Sequence, residues 1–171
     1  MDNKNREILM ELLHDMEDFA IMKNLTCPPI YLLGGSGCII GEYIDRATVD
    51  IDMMDMNYSA KAGRLFNLLE PVDFLDQYLT TIALGFEKRA KKLCEFKHID
   101  IFVLSKEDII TSKIGRYSDK DFEDIKLLMM TAEKKLLLNL INEVLSRKDI
   151  SQRVQQEFGK NAIKFKEDFD V

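Results

Sequence analysis

Histidine and cysteine are scarce in this chain, with two of the first and three of the second among 171 residues. His14 and His98 have no second histidine placed to form a metal pair, so neither is read as a ligand. Cys27, Cys38 and Cys94 are odd in number and widely spaced, with no C-x-x-C element, which argues against a zinc site and against a disulfide framework. A reducing cytoplasm is the expected setting. The polar start, Met-Asp-Asn-Lys-Asn-Arg-Glu, has no apolar h-region, so no signal peptide is expected. No apolar run approaches the ~20 residues of a membrane helix, so no membrane partner is expected. There is no excess of positive charge either: 24 basic against 30 acidic side chains give a net charge of -6. That excludes a broad cationic face of the kind that wraps duplex nucleic acid. One basic island, Glu87 to Lys97 (EKRAKKLCEFK), stands out. It reads first as a solvated helix face and second as a local contact for phosphate or an RNA end. No internal repeat or low-complexity tract occurs.

The apolar content is ordinary, and it is patterned. Ile8, Leu9, Leu12, Leu13, Met16, Phe19 and Ala20 form a helical stripe ended by Pro28 and Pro29. Ile30 to Leu33 reads as a buried strand, Gly34 to Gly37 as a turn, and Cys38 to Tyr43 as the start of a helix with Ser36 near its N-cap. Thr48 to Met54 and Phe96 to Leu104 alternate and read as strands. Tyr58 to Glu70 reads as a helix ended by Pro71. Residues 72–95 are expected to be irregular, with a short helix near Phe86 to Leu93. Helical segments are expected near 106–116, 121–131, 133–147 and 150–167. The predicted class is therefore α/β (α+β), with a small mixed sheet flanked by helices over 1–105 and a C-terminal helical bundle over 106–171.

The chemistry concentrates in Tyr31 to Asp55, YLLGGSGCIIGEYIDRATVDIDMMD. In a strand, side chains at i and i+2 share a face, so Asp50 and Asp52 point the same way. Asp100 is placed likewise between apolar neighbours in its own strand. If the two strands neighbour each other, all three carboxylates share a face. Such a cluster is unfavourable without a cation. Hard divalent ions take oxygen ligands, and two of them can clamp a phosphoryl transfer. Gly34 and Gly35 allow close backbone approach to phosphate oxygens, and Ser36 can donate its hydroxyl to one. Taken singly, Gly-Gly is often only a tight turn, Asp-x-Asp the solvated face of an edge strand, and Asp100 a surface acid. The combination is much rarer than its parts.

On these residues the chain resembles the polymerase-beta-like nucleotidyltransferase superfamily, whose signature is a hydrophobic strand, Gly-Gly-Ser, and Asp-x-Asp on the next strand. Arg46-x-Thr48-x-Asp50-x-Asp52 is similar to the bacterial branch that includes the nucleotidyltransferase toxins of type IV toxin–antitoxin systems. LSKEDIITSKIGRYSDKDFEDIKLL resembles that branch's closing signature at Lys113, Arg116, Asp121 and Asp124. The resemblance covers roughly residues 30–130. Gly37 and Cys38, and the short interval from Arg116 to Asp121, depart from the better-known toxins. It implies a nucleotidyltransferase-type sheet. It also implies metal binding by Asp50, Asp52 and Asp100, with Mg²⁺ expected and Mn²⁺ as an alternative. Gly34, Gly35 and Ser36 would hold the nucleotide phosphates, with Arg46, Thr48 and Asp121 also in the nucleotide site. Lys113 would neutralise triphosphate charge, oriented by Asp121. For Lys113 a helix-surface lysine is the alternative, and for Asp121 and Asp124 a charge favoured by the helix dipole.

The function expected is transfer of a nucleoside monophosphate from an NTP to a hydroxyl of a tRNA end, a protein or a small molecule, with a cognate antitoxin-type partner in view. The competing expectation is a catalytically inactive, antitoxin-like member of the fold that binds a nucleotide or a protein. Asp100 separates the two: distance from Asp50 and Asp52 favours the binding module, and convergence favours the enzyme.

Overall fold

Alternation of apolar side chains along three short strands creates one continuous buried face, and three helices cover it. In the computed structural model, which describes residues 3–171, these strands are β1 (Ile30–Leu33), β2 (Ile51–Met54) and β5 (Ile101–Val103). Ile30, Leu32, Ile51, Met53, Ile101 and Val103 are all buried in one cluster. Packed with them are Leu9, Leu13, Met16 and Ala20 of helix α1 (Arg6–Lys23), Ile39 and Ile40 of α2 (Gly34–Ile40), and Leu65 and Phe66 of α3 (Ala60–Phe66). Two further strands, β3 (Val72–Leu75) and β4 (Lys91–Lys92), complete a five-stranded mixed sheet of order β3-β2-β1-β5-β4. β1 runs parallel to β5 and antiparallel to β2, while β2 and β3 are parallel. The remaining helices are α4 (Lys106–Ile114), α5 (Asp119–Met129), α6 (Lys134–Ser146) and α7 (Gln152–Phe169).

The chain divides into two compact units, Met1–Leu75 with Ala90–Leu104, and Asp76–Arg89 with Ser105–Val171. The first holds the sheet and α1–α3. The second packs α4 against α5, α6 and α7 around Ile109, Ile114, Leu128, Ile141, Phe158 and Phe165. Its segment Asp76–Arg89 is threaded on buried Arg147, whose guanidinium donates to the carbonyls of Gln77, Thr80 and Ile82. Serine starts three of the four helices of this unit by accepting a backbone N–H: Ser105 for α4, Ser118 for α5 and Ser151 for α7.

Several local expectations are corrected. The segment 72–95 holds two strands and a 3₁₀ turn at Phe86–Lys88, not irregular chain with a helix at 86–93. Val72 and Phe74 escape notice because four alternating residues after Pro71 give a weak signal, and β4 is only two lysines on the sheet edge. α2 begins at Gly34 rather than after Gly37, so Ser36 lies inside the helix and is not its N-cap. β2 begins at Ile51, leaving Asp50 in the segment that leads into it. Met1 and Asp2, part of the polar start, lie outside the described residues. No helix among the described residues is long and apolar enough to cross a membrane.

Candidate active site

Three elements converge where β1 ends. β1 delivers the chain directly into α2 through Gly34, whose φ of +59° is a conformation that side-chain-bearing residues rarely adopt. A Cβ on Gly34 would fall 2.0 Å from Asp52 Oδ2, so glycine is required for the approach of a carboxylate as well as for the turn. Asp52 stands opposite Leu33 in the β1–β2 ladder. Its Oδ2 accepts the Gly35 N–H at 3.0 Å, and its own N–H donates to Ser36 Oγ at 2.9 Å. Ser36, fully buried, donates in turn to the Leu33 carbonyl. This reciprocal latch between α2 and β2 fixes where the Asp52 carboxylate points. It also engages the Ser36 hydroxyl within the protein, as donor to the Leu33 carbonyl and acceptor from the Asp52 N–H, where the motif leads one to expect a donor to phosphate.

Arg46 and Thr48 complete the wall. The Arg46 guanidinium and the Thr48 hydroxyl lie 2.9 and 3.0 Å from where a Cβ on Gly35 would be. Thr48 Oγ1 donates to Asp50 Oδ1 at 3.1 Å, which holds the first acid of the pair. Asp50, Asp52 and Asp73 each offer a carboxylate oxygen, and these oxygens lie within 4.8 Å of one another. Asp50 and Asp52 are half-buried and Asp73 is exposed. This all-oxygen set is the chemistry that hard divalent cations select.

Asp73 replaces Asp100 as the third acid. It is brought in by β3, where it pairs in register with Asp52. Its signal in the sequence is the apolar–acid–apolar run Val72-Asp73-Phe74, the same pattern as Ile51-Asp52-Met53. Asp100 occupies the predicted face but the wrong level. It precedes Ile101, the partner of Ile30 at the start of β1, whereas Asp52 stands opposite Leu33 at its end. Four positions along the strand correspond to roughly 13 Å. At the level of Asp52, the residue just after β5 is buried Leu104, which donates its N–H to the Leu32 carbonyl. The Asp100 carboxylate is ion-paired with Lys92 instead. His98 is likewise occupied, with Nε2 2.8 Å from the Leu25 carbonyl.

The second signature lies in the second unit as a buried charge network. Lys113, only 4 % exposed, places Nζ 2.7 Å from Asp124 and 3.4 Å from Asp121. Arg116 holds Asp121 by two hydrogen bonds. Ser118 and Asp121 also cap α5 reciprocally. Burial pushes the Asp121 carboxyl up, but the hydrogen bonds from Arg116 and Ser118 and the charge of Lys113 outweigh it and hold it below the usual carboxylate range. Lys113 is therefore not the helix-surface lysine of the alternative reading, and Asp121 serves both as a helix-start charge and as a partner of two cations.

A small mixed sheet whose first strand turns through Gly-Gly into a helix, with Asp-x-Asp on the adjoining strand, is consistent with the nucleotidyltransferase-type fold. The chain belongs to the family described as nucleotidyltransferase of unknown function (DUF6036), which it matches over residues 7–169. Among curated proteins and among solved structures, nothing matches the chain.

Proposed function

We propose that this protein transfers a nucleoside monophosphate from an NTP to a hydroxyl acceptor, with Asp50, Asp52 and Asp73 holding Mg²⁺ or Mn²⁺. The observation that carries the proposal is the convergence of these three carboxylates beside a glycine turn within a nucleotidyltransferase family. The metal would supply charge neutralisation at the transferring phosphoryl group. Asp52, locked by Gly35 and Ser36, would present a fixed ligand oxygen. Asp50, steadied by Thr48, would present the second, and exposed Asp73 the third. Gly34 and Gly35 keep the floor beside these oxygens free of side chains, and Arg46 is the cation at that wall for nucleotide phosphate. Lys113, positioned by Asp121 and Asp124, is proposed as the triphosphate-neutralising cation of the second signature. Ser36 acts through Asp52 rather than on phosphate.

The acceptor classes are an RNA end such as that of tRNA, a protein side chain or a small molecule. A role as the toxin of a toxin–antitoxin pair, in the cytoplasm, is part of the same proposal and rests on the resemblance at Arg46-x-Thr48-x-Asp50-x-Asp52 and at the second signature. The displaced Asp100 favours the binding-module alternative, in which the fold holds a nucleotide or a protein without chemistry. Asp73 restores the count of three acids and tips the balance to the enzyme.

Calorimetric titration with ATP, GTP, CTP and UTP, with and without Mg²⁺, tests this beside an Asp50→Asn/Asp52→Asn variant. Metal-dependent NTP binding that disappears in the variant is expected. An intact protein that binds no NTP would remove the transferase function.

A further inference from the structure

The site has a support that no signature residue provides. Asp50 lies outside β2, and the segment from Asp45 to Asp50 runs without regular structure except at Thr48. Thr48 forms an isolated antiparallel bridge with Lys4. The Lys4 N–H donates to the Thr48 carbonyl at 2.6 Å, and the Thr48 N–H donates back to the Lys4 carbonyl at 3.0 Å. Lys4 Nζ then donates to the Val49 carbonyl. Through these three hydrogen bonds one residue engages the three successive peptide units, 47–48, 48–49 and 49–50, that lead into Asp50. The arm itself is anchored immediately after this contact. Asn5 caps α1 by accepting the Ile8 N–H, and Arg6 pairs with Glu42 beyond the end of α2.

We infer that the side chain of Lys4 is a positioning group of the metal centre, acting through the Val49 carbonyl on Asp50. The inference rests on the reading of Asp50, Asp52 and Asp73 as metal ligands. The mechanism is mechanical. The Lys4 side chain holds the Val49 carbonyl, whose peptide unit leads directly into Asp50, so it fixes the backbone from which that carboxylate projects, while the backbone bridge to Thr48, which any residue at position 4 would keep, aligns the arm. Losing a hydrogen bond made directly to a ligand residue typically costs ~10–100-fold in metal affinity, and Lys4, one step further out, belongs at the lower end of that range. Direct electrostatics acts in the opposite sense. A lysine charge near a cation site repels the cation, so neutralising it would tighten binding. The direction of the change therefore separates positioning from a field effect, and a purely structural role would change the melting temperature and leave affinity alone.

Mn²⁺ binding to the full chain, followed by the loss of the free-ion electron paramagnetic resonance signal, tests this in wild type, Lys4→Ala, Lys4→Arg and Asp50→Asn. The expected result is binding in wild type, loss in Asp50→Asn, about tenfold weaker binding in Lys4→Ala, and recovery of most of that loss in Lys4→Arg, which keeps a donor of similar reach. Wild-type affinity or tighter binding in Lys4→Ala overturns the positioning role while leaving the metal centre in place. A wild-type protein that binds no Mn²⁺ overturns the metal centre, and the positioning role with it.

Discussion

The same side chain, aspartate, is used in two opposite ways in the two units. In the second unit Asp121 and Asp124 are buried, and each lies against a cation: Lys113 touches both, and Arg116 closes on Asp121. In the first unit Asp50, Asp52 and Asp73 bring carboxylate oxygens within 4.8 Å of one another at a place that ranges from half-buried to exposed. Alternating charges in a dry interior hold a structure together only while every partner is present. Like charges gathered near water contribute no cohesion, and their arrangement becomes favourable when a cation joins them. The first pattern specifies a fold and the second specifies a ligand. Perturbation should accordingly be expensive to stability in the second unit, whatever Lys113 also does for a nucleotide, and expensive to binding with little loss of stability at the exposed acid of the first.

The largest stability effect is expected from breaking the alternating network. Lys113→Met leaves Asp124 buried without its nearest cation and should destabilise by about 3–5 kcal/mol in urea unfolding. The double variant Lys113→Met/Asp124→Leu removes the stranded charge and should recover most of that loss. If nucleotide binding stays lost in the recovered double variant, Lys113 has a role beyond stability. A single variant as stable as wild type would show that the network is not structurally required.

Next in size is Gly34→Ala, which tests the junction that aims Asp52. The φ of +59° costs an alanine about 1–2 kcal/mol, and its Cβ would meet Asp52 Oδ2 at 2.0 Å. Melting should fall moderately while divalent-cation affinity falls sharply, because the carboxylate must move. Equal cation affinity with reduced stability would mean that Asp52 is not held where the metal needs it.

A pH titration sharpens the same comparison at a smaller scale. Asp121 has a folded pKa below its unfolded value of about 3.9. Its stabilisation is complete above that value and is lost as pH falls through the lower folded one. The stability difference between wild type and Asp121→Asn should therefore be constant above about pH 5 and shrink below about pH 4. A difference that does not change with pH would show that Asp121 contributes by capping α5 rather than by charge.

Which of these features the sequence reveals follows from range. Alternation reveals faces, so the buried sides of β1, β2 and β5 and the shared face of Asp50, Asp52 and Asp100 are legible from Ile30, Leu32, Ile51, Met53, Ile99 and Val103. Alternation does not reveal level. The parallel register Ile30↔Ile101 places Asp100 at the far end of β1, and nothing within the segment 96–104 encodes that pairing. Asp73 was hidden for the complementary reason. Its strand is four residues long, and its membership of the sheet is decided by pairing with β2. Ser36 illustrates a third limit. The motif tells that a hydroxyl is wanted after Gly-Gly, but only the geometry shows it turned inward to the Leu33 carbonyl and the Asp52 N–H. The helical half is more legible because serine caps and the 3.6-residue period are local signals.

The smallest stability effect and the most decisive binding effect are expected at Asp73. This residue is exposed on an edge strand, so Asp73→Asn should change stability by no more than about 0.5 kcal/mol. It removes one of three clustered negative charges, and any change should be towards greater stability, because repulsion falls. Divalent-cation affinity should nevertheless drop by about tenfold or more, equivalent to ~1.4 kcal/mol. Asp100→Asn serves as the internal comparison: it loses an exposed ion pair with Lys92 and should leave cation affinity unchanged. Should Asp100→Asn weaken cation binding while Asp73→Asn does not, the third ligand would be the residue that the motif suggests, and β3 would be an ordinary edge. If Asp73 alone matters, the site has drawn its third acid from the opposite side of the Asp-x-Asp strand, which alternation within the motif could not reveal.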